Sequence, residues 1–160
     1  AREAGILGDD AHVHGQGHGN ADAHRVPVDR RVILEPFSGH GIFLACALAR
    51  MAEDLDPAMT AKQRHEYFRR RLIGVEKDPL AREVARLVLT LSDYPNEDGW
   101  QLHRDDVFTW REWDSTLAKA TVVLANPPYE SFDPAERKAV GATKATPPAE
   151  FLERCSGSPT

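Results

Sequence analysis

Four short apolar runs, each closed on its carboxyl side by a polar or acidic residue, constrain this chain most. They are Arg31-Val32-Ile33-Leu34 before Glu35, Leu72-Ile73-Gly74-Val75 before Glu76, residues 100–104 before Asp105-Asp106, and Thr121-Val122-Val123-Leu124-Ala125 before Asn126. Runs of this length, rich in β-branched and aliphatic residues, read as buried strands. Between them lie stretches of helical character. Residues 42–54 are dominated by Ala, Leu, Met and Phe, and residues 60–70 open on Thr60 with Gln63 at the capping-box position. Residues 79–91 follow Asp78 as N-cap and Pro79 at the first helical position. Residues 108–117 are polar, aromatic and partly helical, and another helix starts at Pro147-Pro148-Ala149-Glu150. Strands alternating with helices predict an α/β chain with a parallel sheet and helices on its faces. In such a sheet all carboxyl ends share one edge, so Glu35, Glu76, Asp105/Asp106 and Asn126 are expected around one ligand cleft.

The last run carries the sharpest local signal. Asn126-Pro127-Pro128-Tyr129 ends its strand, because neither proline has a backbone N–H to donate. Read plainly this is a strand followed by a rigid turn. Its chemistry offers more: the Asn126 side-chain oxygen and the Pro127 carbonyl are two acceptors near the flat face of Tyr129. Two convergent acceptors suit an amino group on a planar ring, and an aromatic face suits stacking on it.

The turn after the first strand, Glu35-Pro36-Phe37-Ser38-Gly39-His40-Gly41, lets backbone approach a ligand at a helix N-terminus. A dinucleotide fingerprint needs a third small residue three positions after Gly41, where this chain has Leu44, and a P-loop needs Gly-Lys-Ser/Thr. Both are disfavoured. With Asp78 acting as a cap, Glu76 is left without a structural duty and is placed to accept from both hydroxyls of a ribose. Asp106 is placed to accept from an adenine amino group, with the Val107 N–H for a ring nitrogen; Asp105 competes for the same role. Glu35 is suited to a ligand ammonium, directly or through water. A ribose, an adenine and an ammonium on one edge, with no phosphate site, describe S-adenosylmethionine better than NAD or ATP.

Composition narrows the rest. A formal net charge of -5 is the wrong sign for a module gripping duplex DNA by its phosphates, so any nucleic-acid clamp is expected elsewhere. No apolar run nears the ~20 residues needed to cross a bilayer, and no secretion signal is evident, which leads to the expectation of a bacterial cytoplasmic protein without a membrane partner. Cys46 and Cys155 are too few and too far apart for a metal knuckle or a disulfide framework. Residues 1–30 read as a flexible polar leader; His12, His14, His18 and His24 within it lack a scaffold for a metal, so none is expected.

The motifs together resemble those of the amino-methylating adenine DNA methyltransferases of bacterial restriction-modification and related phage-defence systems. Glu35 to Leu44, then Gly74-Val75-Glu76-Lys77-Asp78-Pro79-Leu80-Ala81, then Asp105-Asp106-Val107-Phe108, then Asn126-Pro127-Pro128-Tyr129 carry the resemblance, with a connector over residues 93–96 and Gly99-Trp100. It implies a Rossmann-like methyltransferase fold with a doubly wound parallel sheet, in part, and S-adenosylmethionine as donor. It implies further that Glu35, Pro36, Gly39 and Gly41 line the methionine end, Glu76 the ribose, and Asp106 with Val107 the adenine. Asn126, Pro127, Pro128 and Tyr129 would handle a target adenine flipped out of DNA. The resemblance spans about residues 31–153, with residues 154–160 expected as a disordered tail. The family's Thr-Pro element before the first strand, about three further strands and a target-recognition domain are not found. Together with an N-terminal alanine, this leads to the expectation of a fragment that needs a recognition domain or subunit and that alone is inactive. The same Asn-Pro-Pro-Tyr run serves methyltransferases of ribosomal RNA bases or of a protein glutamine amide, and a non-catalytic remnant would keep the same fold.

Overall fold

The computed structural model describes residues 26–157. The four histidines of the leader lie outside them. Within them a four-stranded, all-parallel sheet has the order β3-β2-β1-β4, built from β1 (Ile33–Glu35), β2 (Leu72–Val75), β3 (Gln101–His103) and β4 (Val122–Val123). Among the described residues the helices are α1 (Ile42–Glu53), α2 (Ala61–Arg69), α3 (Pro79–Ser92), α4 (Trp113–Lys119), α5 (Pro134–Val140) and α6 (Pro147–Ser156). The chain winds outward from β1 to β3, then crosses back to lay β4 against the other side of β1. The point where the strand order reverses therefore lies between β1 and β4, and it is there that open parallel sheets bind ligands.

Strand residues alternate between two cores, which makes the sheet doubly wound. Ile33 and Leu72 point to one face, where they meet Leu44, Leu48 and Met51 of α1, Phe68 of α2 and Leu89 of α3. Leu34, Ile73 and Val75 point to the other, against Val107, Phe108, Trp110, Trp113 of α4, Phe132 and Phe151 of α6. Fully burying one such side chain stabilises by roughly 1.5–3 kcal/mol. Gly74 is required by this packing: a Cβ there would sit 2.7 Å from Leu102 Cδ2 and 2.9 Å from Leu44 Cδ1.

The helix starts follow their caps. Thr60 accepts from the Gln63 N–H while the Gln63 side chain accepts from the Thr60 N–H, completing the expected capping box. Asp78 accepts from the Ala81 N–H at 2.7 Å with Pro79 as the first helical residue. Caps of this kind are worth about 1 kcal/mol each. α5 was not foreseen, although it carries a full set of signals. Asp133 caps it by accepting from the Glu136 N–H, Pro134 opens it, and Gly141 closes it in the left-handed region at φ 64°.

The segment boundaries shift at both ends. Residues 28–30 form a 3-10 turn held by the Tyr67 hydroxyl donating to the Val28 carbonyl, and α6 continues to Ser156 rather than giving way to a tail at residue 154. β4 is shorter than the apolar run that encodes it: Leu124 still donates its N–H to the Leu34 carbonyl at 2.9 Å, and the two prolines that soon follow have no N–H to carry the pairing on. Among the described residues no helix is long and apolar enough to cross a membrane.

Candidate ligand cleft at the strand ends

The glycine turn between β1 and α1 is fastened from below and from the side. Glu35, the last residue of β1, is 2% exposed, and its Oε2 accepts from the Leu44 N–H in the first turn of α1 at 3.2 Å. Burial pushes its carboxyl up to about 8; the Leu44 N–H opposes that shift and the nearby Glu76 carboxylate adds to it. Ser38 donates both its N–H and its hydroxyl to the Val75 carbonyl, at 3.0 and 3.2 Å. Gly39 and Gly41 both adopt positive φ, 48° and 79°. Around a Cβ placed on Gly39 nothing lies within 4 Å, whereas one on Gly41 would meet Ala85 Cβ at 2.9 Å. The first glycine is thus demanded by the backbone turn, the second also by the close approach of α1 and α3.

Glu76 has the structural duty that the sequence did not reveal. Its Oε2 accepts from the Gly39 N–H and its Oε1 from the Asp78 N–H, both at 2.8 Å. One carboxylate therefore ties the end of β2 to the glycine turn and to the entry of α3. A carboxylate has about four lone-pair sites, so two acceptor sites are left for a ligand.

After β3 the chain turns through Asp105-Asp106-Val107-Phe108. Asp105 accepts from the Asp106 N–H at 2.9 Å, a turn contact within the loop. Asp106 Oδ1 accepts from the Phe108 N–H at 2.9 Å, and its Oδ2 lies 3.8 Å from Lys77 Nζ. Val107 is buried. Beyond β4, Asn126 and Tyr129 are exposed, the latter at 79%, and the Tyr129 hydroxyl donates to Asn126 Oδ1 at 3.0 Å.

These ends surround one cleft of about 320 Å3. Glu76, Asp105, Asp106 and Val107 line it together with Pro36, and Asn126 and Pro128 line it from the β4 side. Glu35, Gly39, Gly41, Pro127 and Tyr129 are not on its wall: Glu35 lies beneath the turn that the two glycines form, and Tyr129 stands out into solvent. Seven further lining residues had no ligand role assigned from the sequence, among them Lys77, Phe132, Glu136 and Pro147. Lys77 bridges Asp106 and Glu136, with its Nζ 3.4 Å from Glu136 Oε1. Phe132 packs edge-on against Phe108, their ring centroids 5.3 Å apart. The Asp-Pro start and glycine stop of α5 were the signal that pointed to this stretch.

Lined by acceptors at its rim and apolar rings at its floor, a cleft of this size suits a ligand with a planar heterocycle and several donor groups. No curated protein sequence matches the chain. Among solved structures, it resembles part of the ATP-dependent type ISP restriction-modification enzyme LlaBIII bound to DNA, with 22% identity and a TM-score of 0.48 over 66% of this chain and 9% of that one. It also resembles part of the DrdV–DNA complex, with 15% identity and a TM-score of 0.47 over 78% of this chain and 14% of that one. The chain thus spans a small fraction of the length of either. The family described as N-6 DNA methylase matches residues 23–148, most of the sequence and every strand end that lines the cleft. On that match the chain belongs to the N-6 DNA methylase family.

Proposed function

We propose that this chain carries the cofactor- and base-binding part of an enzyme that methylates the exocyclic amino group of adenine in DNA, with S-adenosylmethionine as donor. The observation that carries the reading is the meeting of Glu76, Asp106 and Asn126, from three different strands, around one cleft at the point where the strand order reverses. The residues present fit such a donor. Glu76 retains acceptor capacity for two ribose hydroxyls, Asp106, whose Oδ2 lies 3.8 Å from Lys77 Nζ, lines the cleft as an acceptor for an amino group, and the apolar rings suit a purine. Glu35, buried beneath the glycine turn and off the cleft wall, then acts on a ligand ammonium through water. When bound, the donor supplies a methyl group on a positively charged sulfur.

The protein's own part on the substrate side is to hold a nitrogen. Asn126 Oδ1 and the Pro127 carbonyl accept the two N–H bonds of the target amino group, which draws the nitrogen out of conjugation with its ring and turns its lone pair toward the cleft. Tyr129 offers a stacking face, worth about 1–3 kcal/mol per base. A stacked, paired adenine cannot reach these groups, so the base must leave the duplex. An amine held this way is nucleophilic without a strong general base; positioning and fixed dipoles supply the catalysis. With a net charge of -5 the chain leaves the duplex to a separate target-recognition domain or subunit.

The test uses radiolabelled S-adenosylmethionine with the intact protein and, in parallel, DNA, ribosomal RNA and protein acceptors. Label recovered as N6-methyladenine from DNA is the expected result. Label in RNA or in a glutamine amide instead would replace the DNA assignment, and absence of any cofactor binding by calorimetry would remove the enzyme reading altogether.

A further inference from the structure

The two walls of the cleft come from distant parts of the chain; Lys77 joins them at the surface through Asp106 and Glu136, and a second side chain joins them through backbone carbonyls. The guanidinium of Arg154, on α6, has three partners, one on its own helix and two beyond it. Its Nε donates to Glu150 Oε1 at 2.9 Å, one terminal nitrogen donates to the Phe108 carbonyl, and the other donates to the Val140 carbonyl at 3.1 Å. The guanidinium carbon also lies 5.1 Å from the centroid of the Phe108 ring. Glu150, one turn earlier and 3% exposed, accepts in its turn from the Thr143 and Lys144 N–H groups at 2.8 and 3.0 Å. Its burial would raise the carboxyl, yet the Lys144 N–H, Arg154 and the Thr143 N–H outweigh that and hold it below the usual range, ionised as the arrangement needs.

What Arg154 holds is specific. Val140 is the last residue of α5, whose final carbonyls have no partner within the helix. Phe108 is gripped on both sides, its N–H by Asp106 Oδ1 and its carbonyl by Arg154. With Oδ1 engaged by that N–H, the Asp106 carboxylate is fixed on the cleft wall, its Oδ2 3.8 Å from Lys77 Nζ. The planar, multi-donor fork of arginine can serve Phe108, Val140 and Glu150 at once; a lysine ammonium at the same place is a point charge on a flexible stem and cannot span them.

We propose that Arg154 is a positioning residue that couples the turn 106–108, where the cofactor's adenine is received, to the segment 132–147 that forms the opposite wall behind the target-base loop. The proposal rests on the functional reading given above. It makes the two walls one mechanical unit: a ligand that orders Asp106 and Phe108 also orders α5 and the loop after it.

Arg137 provides the control. It donates to the Ala142 and Thr143 carbonyls, at 3.3 and 2.6 Å, and so braces the same loop without touching Phe108. In the intact protein, Arg154→Lys is expected to weaken S-adenosylmethionine binding about tenfold, as the loss of a charge-assisted bond at a partly buried site implies, with the melting temperature little changed. Hydrogen exchange should quicken at residues 106–108 and 140–145 together. Arg137→Lys should quicken exchange at 140–145 alone and leave the affinity within twofold. Unchanged affinity in Arg154→Lys, or an equal loss in Arg137→Lys, would overturn the proposal. Should Arg154→Lys not fold, the unmutated protein decides: added cofactor is expected to slow exchange at 142–145, none of which lines the cleft, and protection confined to the strand ends overturns the coupling. If the unmutated protein binds no S-adenosylmethionine, the functional reading fails while the coupling is still judged by exchange in the ligand-free variants. Acceleration limited to 140–145 in Arg154→Lys would then sink it.

Discussion

The side of the cleft proposed for the cofactor and the side proposed for the target base are built on opposite plans. On the first, each acidic group is already bonded to backbone: Glu35 to Leu44, Glu76 to Gly39 and Asp78, Asp106 to Phe108. On the second, Asn126 and Tyr129 are exposed and hold each other through one hydrogen bond. The difference teaches where organisation comes from. One half is preorganised by the fold and is ready for a small ligand. The other is a pair of acceptors on a proline-stiffened turn, and the incoming base must complete it.

The sharpest break between the halves should come from Asn126→Ala. If the target side is independent, methylation falls about 100- to 1,000-fold, as for loss of a preorganised group at a reacting centre, while cofactor affinity stays within about twofold. Steady-state rates beside calorimetry measure both, and a parallel loss of cofactor binding would erase the distinction.

Next in size is the pH dependence stored in Glu35. Its carboxyl goes from an ordinary 4.5 to about 8 on folding, so the folded state keeps a proton that the unfolded chain gives up. Its contribution to stability is whole below 4.5 and is lost as pH rises through about 8, at about 1.4 kcal/mol per unit across the window. Denaturant titrations at pH 5 and pH 8 should show the decline, and Glu35→Gln should flatten it. Cofactor affinity should move the other way and rise over the same pH range, because an ammonium favours the ionised carboxylate.

Smaller is the contrast within the glycine turn. Gly41→Ala is expected to cost about 2–3 kcal/mol, from positive φ and collision with Ala85, and Gly39→Ala only about 1–2 kcal/mol from φ alone. Thermal melts of the two variants test the order; equal losses would mean that α1 and α3 yield easily. Smallest of all, Tyr129→Phe removes the bond to Asn126 but keeps the ring, so stability should shift by no more than about 0.5 kcal/mol. Turnover should stay within a few-fold, and a large loss would show that the Tyr129 hydroxyl, rather than its face, organises the target side.

Much of this was legible in the residues themselves. The bounds of β2 match its apolar run residue for residue, because Arg71 and Glu76 bracket it and both faces of the strand are buried. Caps at Thr60 and Asp78 were readable because their partners sit three residues away. Contacts across long separations were not. The bond from Glu76 to Gly39 joins residues 37 apart, and that from Arg154 to Phe108 joins residues 46 apart. No local pattern records either one. α5 lies between these cases: its signals were all local, but seven residues flanked by loops carry too little apolar period to stand out.

The bare Cα of Gly74 has a consequence for how Glu35 is held. Leu44 of α1 and Leu102 of β3 close over it, so α1 packs directly against the middle of the sheet. Any larger residue at that spot would have to displace the Leu102 and Leu44 methyls, and Leu44 is the residue whose N–H holds Glu35. The fastening of Glu35 beneath the glycine turn is therefore tied, through Leu44, to a side chain that is not there.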